Sequence, residues 1–123
     1  MSQPHILIIE DDAPYLNMLG SALEGEGYRV TLAENGKVGI KAFLADPADV
    51  VVTDVIMPEK EGIETIIDLR KSHPELKIIA MSGGAPHSET YLKICAQLGV
   101  CCTLTKPFFL ETLTEAVNEA LAA

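Results

Sequence analysis

The sequence predicts an α/β fold in which five parallel strands alternate with five helices, a single (βα)5 unit across all 123 residues. Three observations lead there. Short apolar, β-branched runs recur five times, patterns of helical period fill the intervals, and chain breakers stand at the joints.

Ile6-Leu7-Ile8-Ile9 opens the series and is apolar throughout, as suits a strand covered on both faces. Asp12 ahead of Pro14 has the place of a helix N-cap. Leu16, Leu19 and Leu23 form the stripe of the first helix, which Gly27 closes. Tyr28-Arg29-Val30-Thr31-Leu32 is the second strand, and Asn35-Gly36 opens a less regular helix over Lys37 to Leu44. Val50-Val51-Val52 is the third strand; Ile63, Ile66, Ile67 and Leu69 mark the next helix, ended by Pro74. After the fourth strand, Lys77-Ile78-Ile79-Ala80-Met81, the residues Tyr91, Ile94, Cys95 and Leu98 follow an i, i+3, i+4, i+7 pattern that Gly99 terminates. Val100-Cys101-Cys102-Thr103-Leu104 is the fifth strand, and Leu110, Leu113, Val117 and Leu121 stripe the last helix. Right-handed crossovers then place helices on both faces of a parallel, doubly wound sheet. No linker, repeat or low-complexity tract interrupts the chain, so residues 1–123 are read as one domain.

Composition narrows the function. Apolar residues make up 48% of the chain, enough for one core without disulfides, and no apolar run approaches the roughly 20 residues of a membrane span. Nine basic against 18 acidic residues give a net charge of −9, which repels a nucleic-acid backbone. The start, Met1 to His5, lacks a signal peptide's basic region and cleavage site. Cys95, Cys101 and Cys102 form an odd set, and the adjacent pair is expected on opposite faces of a strand, which suggests neither a disulfide nor a metal site. A reducing cytoplasm is the expected compartment. His5, His73 and His87 stand at no ligand spacing and are read as surface or strand-end residues.

In an open parallel sheet, ligands gather beyond the carboxyl ends of the strands. Those ends carry Glu10-Asp11-Asp12 after the first strand, Asp54 after the third, Ser82 after the fourth and Lys106-Pro107 after the fifth. Singly, each has a plain structural explanation: a helix cap, a turn residue, a loop, a surface turn. Their joint arrival at four of five strand ends does not. Two carboxylates about 5 Å apart repel by ~3 kcal/mol at an effective dielectric near 20. Asp11, Asp12 and Asp54 at one site would therefore raise one another's pKa values unless a cation intervened, and Mg²⁺ (or Mn²⁺) suits such oxygen ligands. Lys106 adds positive charge at the same rim and Ser82 a hydroxyl. Such a site can hold a phosphoryl group, with Asp54 as candidate nucleophile.

These stretches resemble the response-regulator receiver family over essentially the whole chain: Ile8-Ile9-Glu10-Asp11-Asp12, Val52-Thr53-Asp54-Val55-Ile56-Met57-Pro58, Gly62, Ala80-Met81-Ser82-Gly83 and Lys106-Pro107-Phe108. The resemblance implies a flavodoxin-like sheet of strand order 2-1-3-4-5, an order the chemotaxis receivers illustrate. It implies phosphotransfer to Asp54 from the phosphohistidine of a sensor histidine kinase or phosphotransfer protein. It further implies Mg²⁺ ligation by Asp12, Asp54 and the backbone carbonyl of Ile56, with Asp11 helping through water. Lys106 would pair with the phosphoryl group, the Ser82 hydroxyl would swing to bond it, and small Gly83 would leave room for the donor. The protein would catalyse its own phosphorylation and dephosphorylation without turning over a dedicated substrate. A downstream protein or output domain would read the face of the fourth helix, fifth strand and fifth helix.

Three positions depart from the family pattern. Thr103 stands where a Tyr or Phe usually follows the hydroxyl movement. Phe109 replaces an acidic helix cap; it either folds back into the core or offers a partner an apolar anchor. Ile56 and Gly84 occupy places where polar side chains often position water, so no side-chain help to hydrolysis is expected from them. The readout surface is expected around Ser82, Tyr91, Lys93, Thr103 and Phe109. Among rivals, a pseudo-receiver acting purely as an interaction module would have lost an acid or the lysine. A haloacid-dehalogenase-type phosphatase would want a second Asp where Ile56 stands, and a flavodoxin-like carrier a Ser/Thr-rich loop after the first strand. The sequence is compatible with a stand-alone receiver and with one excised from a longer regulator or hybrid kinase.

Overall fold

The chain runs β1 (His5–Ile9), α1 (Ala13–Gly25), β2 (Arg29–Ala33), α2 (Gly36–Ala45), β3 (Val50–Asp54), α3 (Glu61–Ser72), β4 (Lys77–Ser82), α4 (Ser88–Gln97), β5 (Cys102–Thr105) and α5 (Leu110–Ala122) in a computed structural model. The structure describes residues 3–55, 61–83 and 88–123, the side chains at 61, 88, 89, 91 and 92 excepted. The five strands form one parallel sheet in the order β2-β1-β3-β4-β5.

The continuous apolar runs become the strands covered on both faces. Every residue of β1 and β3 is buried, and all of β4 except Lys77. The edge strands β2 and β5 are only partly covered. One core layer packs Ile6, Ile8, Val50, Val52, Ile79 and Met81 against Leu16, Leu19 and Leu23 of α1 and Leu113 and Val117 of α5. The other packs Leu7, Ile9, Val51, Ile78 and Ala80 against Phe43 of α2, Ile66 and Leu69 of α3 and Cys95 of α4. Alternate strand residues thus feed opposite layers, as a pleated sheet requires. Among the described residues no helix is long and apolar enough to cross a membrane.

Caps set where the helices begin. Asp12 accepts from the Tyr15 amide at the start of α1, and Asn35 from the Val38 amide at the start of α2. At the far ends, Gly27 and Gly99 take positive φ values of 93° and 76°, a conformation that favours glycine. Arg70 of α3 spends its guanidinium on four carbonyls, those of Pro74, Leu76, Leu98 and Gly99, tying the end of α3 to the end of α4. Gly62 is needed for space: a Cβ there would collide with the Asp54 carbonyl oxygen and the Val55 backbone. α3 can therefore lie directly against the end of β3.

The pairing of Cys101 and Cys102 as successive strand residues needs correction. β5 begins at Cys102, and Cys101 lies in the bend before it, exposed, so strand alternation does not govern the pair. Both cysteines are free. His5 starts β1, but buried rather than exposed: its Nε2 lies 2.7 Å from the Thr31 hydroxyl and its Nδ1 3.1 Å from the Pro47 carbonyl.

Candidate functional site

Sheet register brings the polar strand ends into one row. Ile9 pairs with Thr53, Asp54 with Met81, and Ser82 with Thr105. Glu10 and Asp54 are thus neighbours just past the core, and the Lys106 amide donates to the Ser82 carbonyl at 2.7 Å. Glu10, Asp54 and Ser82 are all buried, with 1%, 4% and 0% exposure. Buried carboxylates demand compensation, and Lys106 provides it. Its Nζ lies 2.6 Å from Asp54 Oδ2 and forms a second short ion pair with Glu10 Oε1.

Among the described residues, acids outnumber cations in this pocket. Glu10, Asp11 and Asp54 bring carboxylate oxygens within 4.8 Å of one another, and the Lys106 ammonium pairs with two of the three. Burial pushes the Glu10 carboxyl up to about 7, the Lys106 bond pulling the other way and Asp11 and Asp54 adding to the rise. Burial works against the Lys106 ammonium, but its bonds to Asp54 and Glu10 outweigh that and hold its pKa above the ordinary lysine value. The Lys106 Nζ also stands 4.8 Å from the centroid of the Tyr15 ring, and burial raises the Tyr15 phenol. Oxygen donors are what a hard divalent cation such as Mg²⁺ takes, and adjacent oxygens on an octahedral ion lie about 3 Å apart, so binding one would draw these carboxylates closer together.

The expected residues fall into four groups. Asp11, Asp54, Ser82 and Lys106 stand together at the strand ends. Asp12 does not join the carboxylate cluster: its Oδ1 accepts from the Tyr15 amide at 3.2 Å as the α1 cap, while its own amide donates to Glu10 Oε2 at 3.1 Å. Glu10 takes the third place, and the sequence held the signal. Of three consecutive acids, the one two residues before Pro14 was already committed to the helix, which leaves the first two for the site. On the outer face, Thr103, Lys93 and Phe109 are exposed, Phe109 at 80%. The possibility that Phe109 folds into the core is not realised. Ile56 with its carbonyl, Met57, Pro58, Gly84 and the Tyr91 side chain lie outside the described residues.

Residues 6–118 match the family model for the response regulator receiver domain. The chain belongs to this family. The receiver is 32% identical over 119 residues to the transcriptional regulatory protein GlrR of Escherichia coli (strain K12), covering 95% of this chain and 26% of that protein. It is 34% identical over 123 residues to the uncharacterized transcriptional regulatory protein YkoG of Bacillus subtilis (strain 168), covering 98% and 52%. The receiver therefore spans from about a quarter to about half of such curated relatives. Among solved structures, it superposes on a CheY-like response regulator receiver domain protein from Methanospirillum hungatei. The TM-score is 0.91 at 28% identity, with 98% of this chain and 95% of that one covered. The response regulator TrrA of Thermotoga maritima, solved in complex with Mg(2+)-BeF, gives a TM-score of 0.84 at 27% identity, covering 97% and 100%. The fold class and strand order expected from the sequence are those of the receiver, a component of two-component signalling.

Proposed function

We propose that this receiver takes a phosphoryl group onto Asp54 from the phosphohistidine of a sensor kinase or phosphotransfer protein, and that the resulting acyl phosphate changes its partner-binding face. The observation that carries this reading is the Lys106 ammonium 2.6 Å from Asp54 Oδ2, inside a cluster of three acids. A carboxylate oxygen of Asp54 attacks phosphorus, the P–N bond breaks, and the histidine nitrogen leaves with its electron pair. Lys106 transfers its charge from the carboxylate to the phosphoryl oxygens, and the Ser82 hydroxyl donates to one of them. Asp11 and Asp54 would hold Mg²⁺ (Mn²⁺ as substitute), with Glu10 in the place first expected of Asp12 and the Ile56 carbonyl as a further oxygen. Bound there, the ion neutralises charge on the phosphoryl oxygens. The Mg(2+)-BeF complex of the Thermotoga maritima relative supports this assignment.

Phosphorylation adds charge and acceptor oxygens that Ser82 and Lys106 meet differently in the two states, and only such differential contacts move an equilibrium. The readout is placed around Tyr91, Lys93, Thr103 and Phe109. Partners are a cytoplasmic kinase or phosphotransfer protein and a downstream protein or output domain; a charge of −9 argues against nucleic acid as a direct partner of this chain. Intact-mass analysis after incubation with acetyl phosphate tests the acceptor. A phosphoryl adduct is expected on the parent with Mg²⁺, and none with EDTA or on Asp54→Asn. An unmodified parent would favour the pseudo-receiver, a phosphorylation-independent interaction module.

A further inference from the structure

Lys106 is bounded on more than its acidic side. Glu10 and Asp54 draw the ammonium inward, while the half-buried Tyr15 ring stands 4.8 Å from Nζ. That ring is itself fixed from two directions. Its backbone amide is held by the Asp12 cap in the first turn of α1. It also packs edge-to-face with Phe108, two residues beyond the lysine, with centroids 6.2 Å apart and planes at 68°.

A lysine side chain has four methylenes and loses much rotamer freedom when its head is confined. Two carboxylates alone leave the ammonium free to roll over a negative surface, because charge attraction has little directional preference. An aromatic face on the remaining side closes that freedom and attracts the cation as well. We propose that Tyr15 is a positioning residue for Lys106: its ring fixes the ammonium over Asp54 and thereby sets how readily Asp54 accepts a phosphoryl group. Asp12 then belongs to the same device, since its carboxylate holds the turn that presents the ring. The kinetic half of the proposal rests on Asp54 being the acceptor; the geometric half does not.

Two measurements on the full chain test it. In protein with labelled lysine, free of metal, the Lys106 ε-methylene protons are expected upfield of ordinary lysine positions, because the ammonium they adjoin lies over the Tyr15 ring, 4.8 Å from its centroid. Tyr15→Phe keeps that shift and Tyr15→Leu loses it. With acetyl phosphate and Mg²⁺, Tyr15→Leu takes up the phosphoryl group about fivefold more slowly than the parent, and Tyr15→Phe restores the rate. An unshifted Lys106 in the parent overturns the proposal, and needs no variant to fold. A Tyr15→Leu protein as fast as the parent overturns it too, as does Tyr15→Phe being equally slow, which would move the effect to the hydroxyl. A parent that takes no phosphoryl group refutes the acceptor reading instead, and the proton shift alone then decides the placement of Lys106.

Discussion

The Lys106 ammonium lies 2.6 Å from Asp54 Oδ2 and shares its charge with Glu10, so one cation serves two buried carboxylates. Removing it takes a charge partner from both acids, a change that typically costs a few kcal/mol when the pair is buried. The lysine side chain is 20% exposed and Glu10 can take up a proton, so Lys106→Met is expected to cost about 2 kcal/mol. A divalent ion in the same pocket supplies replacement charge. Urea unfolding of parent and variant should therefore differ more in EDTA than in saturating Mg²⁺; an equal difference in both media contradicts a shared pocket.

Glu10 gives the pH dependence. Its carboxyl is raised to about 7 in the fold by burial, from an ordinary 4.5, so the folded state holds a proton that the unfolded chain has released. Stability falls with rising pH wherever the native state binds more protons than the unfolded one. The contribution is fully present below 4.5 and lost as pH rises through about 7. Metal-free parent should lose urea resistance between pH 5 and 8 more steeply than Glu10→Gln, whose amide cannot ionise. Parallel slopes would show that Glu10 ionises normally.

Asp12 separates capping from ligation. Its Oδ1 accepts the Tyr15 amide, and losing an N-cap of this kind costs about 1 kcal/mol. Asp12→Ala is expected to show that loss in thermal melts while binding Mg²⁺ within about twofold of the parent by calorimetry; Asp11→Ala should lose the ion. Abolished binding in Asp12→Ala would return this residue to the ligand set.

Most of the scaffold was legible because its signals are local. Ile6 to Ile9 and Val50 to Val52 admit little but buried strands, and Asp12, Asn35 and Gly99 mark helix ends through their own side chains or their lack of one. The strand-end residues Asp54 and Lys106 were legible by position, and the structure brings them into contact. The division of labour among Glu10, Asp11 and Asp12 was harder to read. Three adjacent acids offer no periodicity, and only the competing demand of the α1 cap decides which one turns away. Tyr15 was hidden for another reason: its partner Lys106 is 91 residues distant in sequence, and a lone aromatic in a first helical turn carries no signal of what it faces.

Phe109 occupies the N-cap of α5 with its ring 80% exposed, and no side-chain bond closes that helix end. The aromatic side chain here neither fills core nor caps an amide, so it adds little to the stability of the fold. Phe109→Asp would supply the missing acceptor to the first-turn amides and place a negative charge at the positive end of the helix. The ring contributes little packing to be lost. The variant is therefore expected to be more stable by about 1 kcal/mol, raising the melting temperature by a few degrees. If Phe109 anchors a partner on the α4–β5–α5 face, the same substitution should weaken that complex while leaving phosphoryl uptake at Asp54 unchanged. A less stable Phe109→Asp protein would mean that the ring packs against the domain more closely than its exposure indicates.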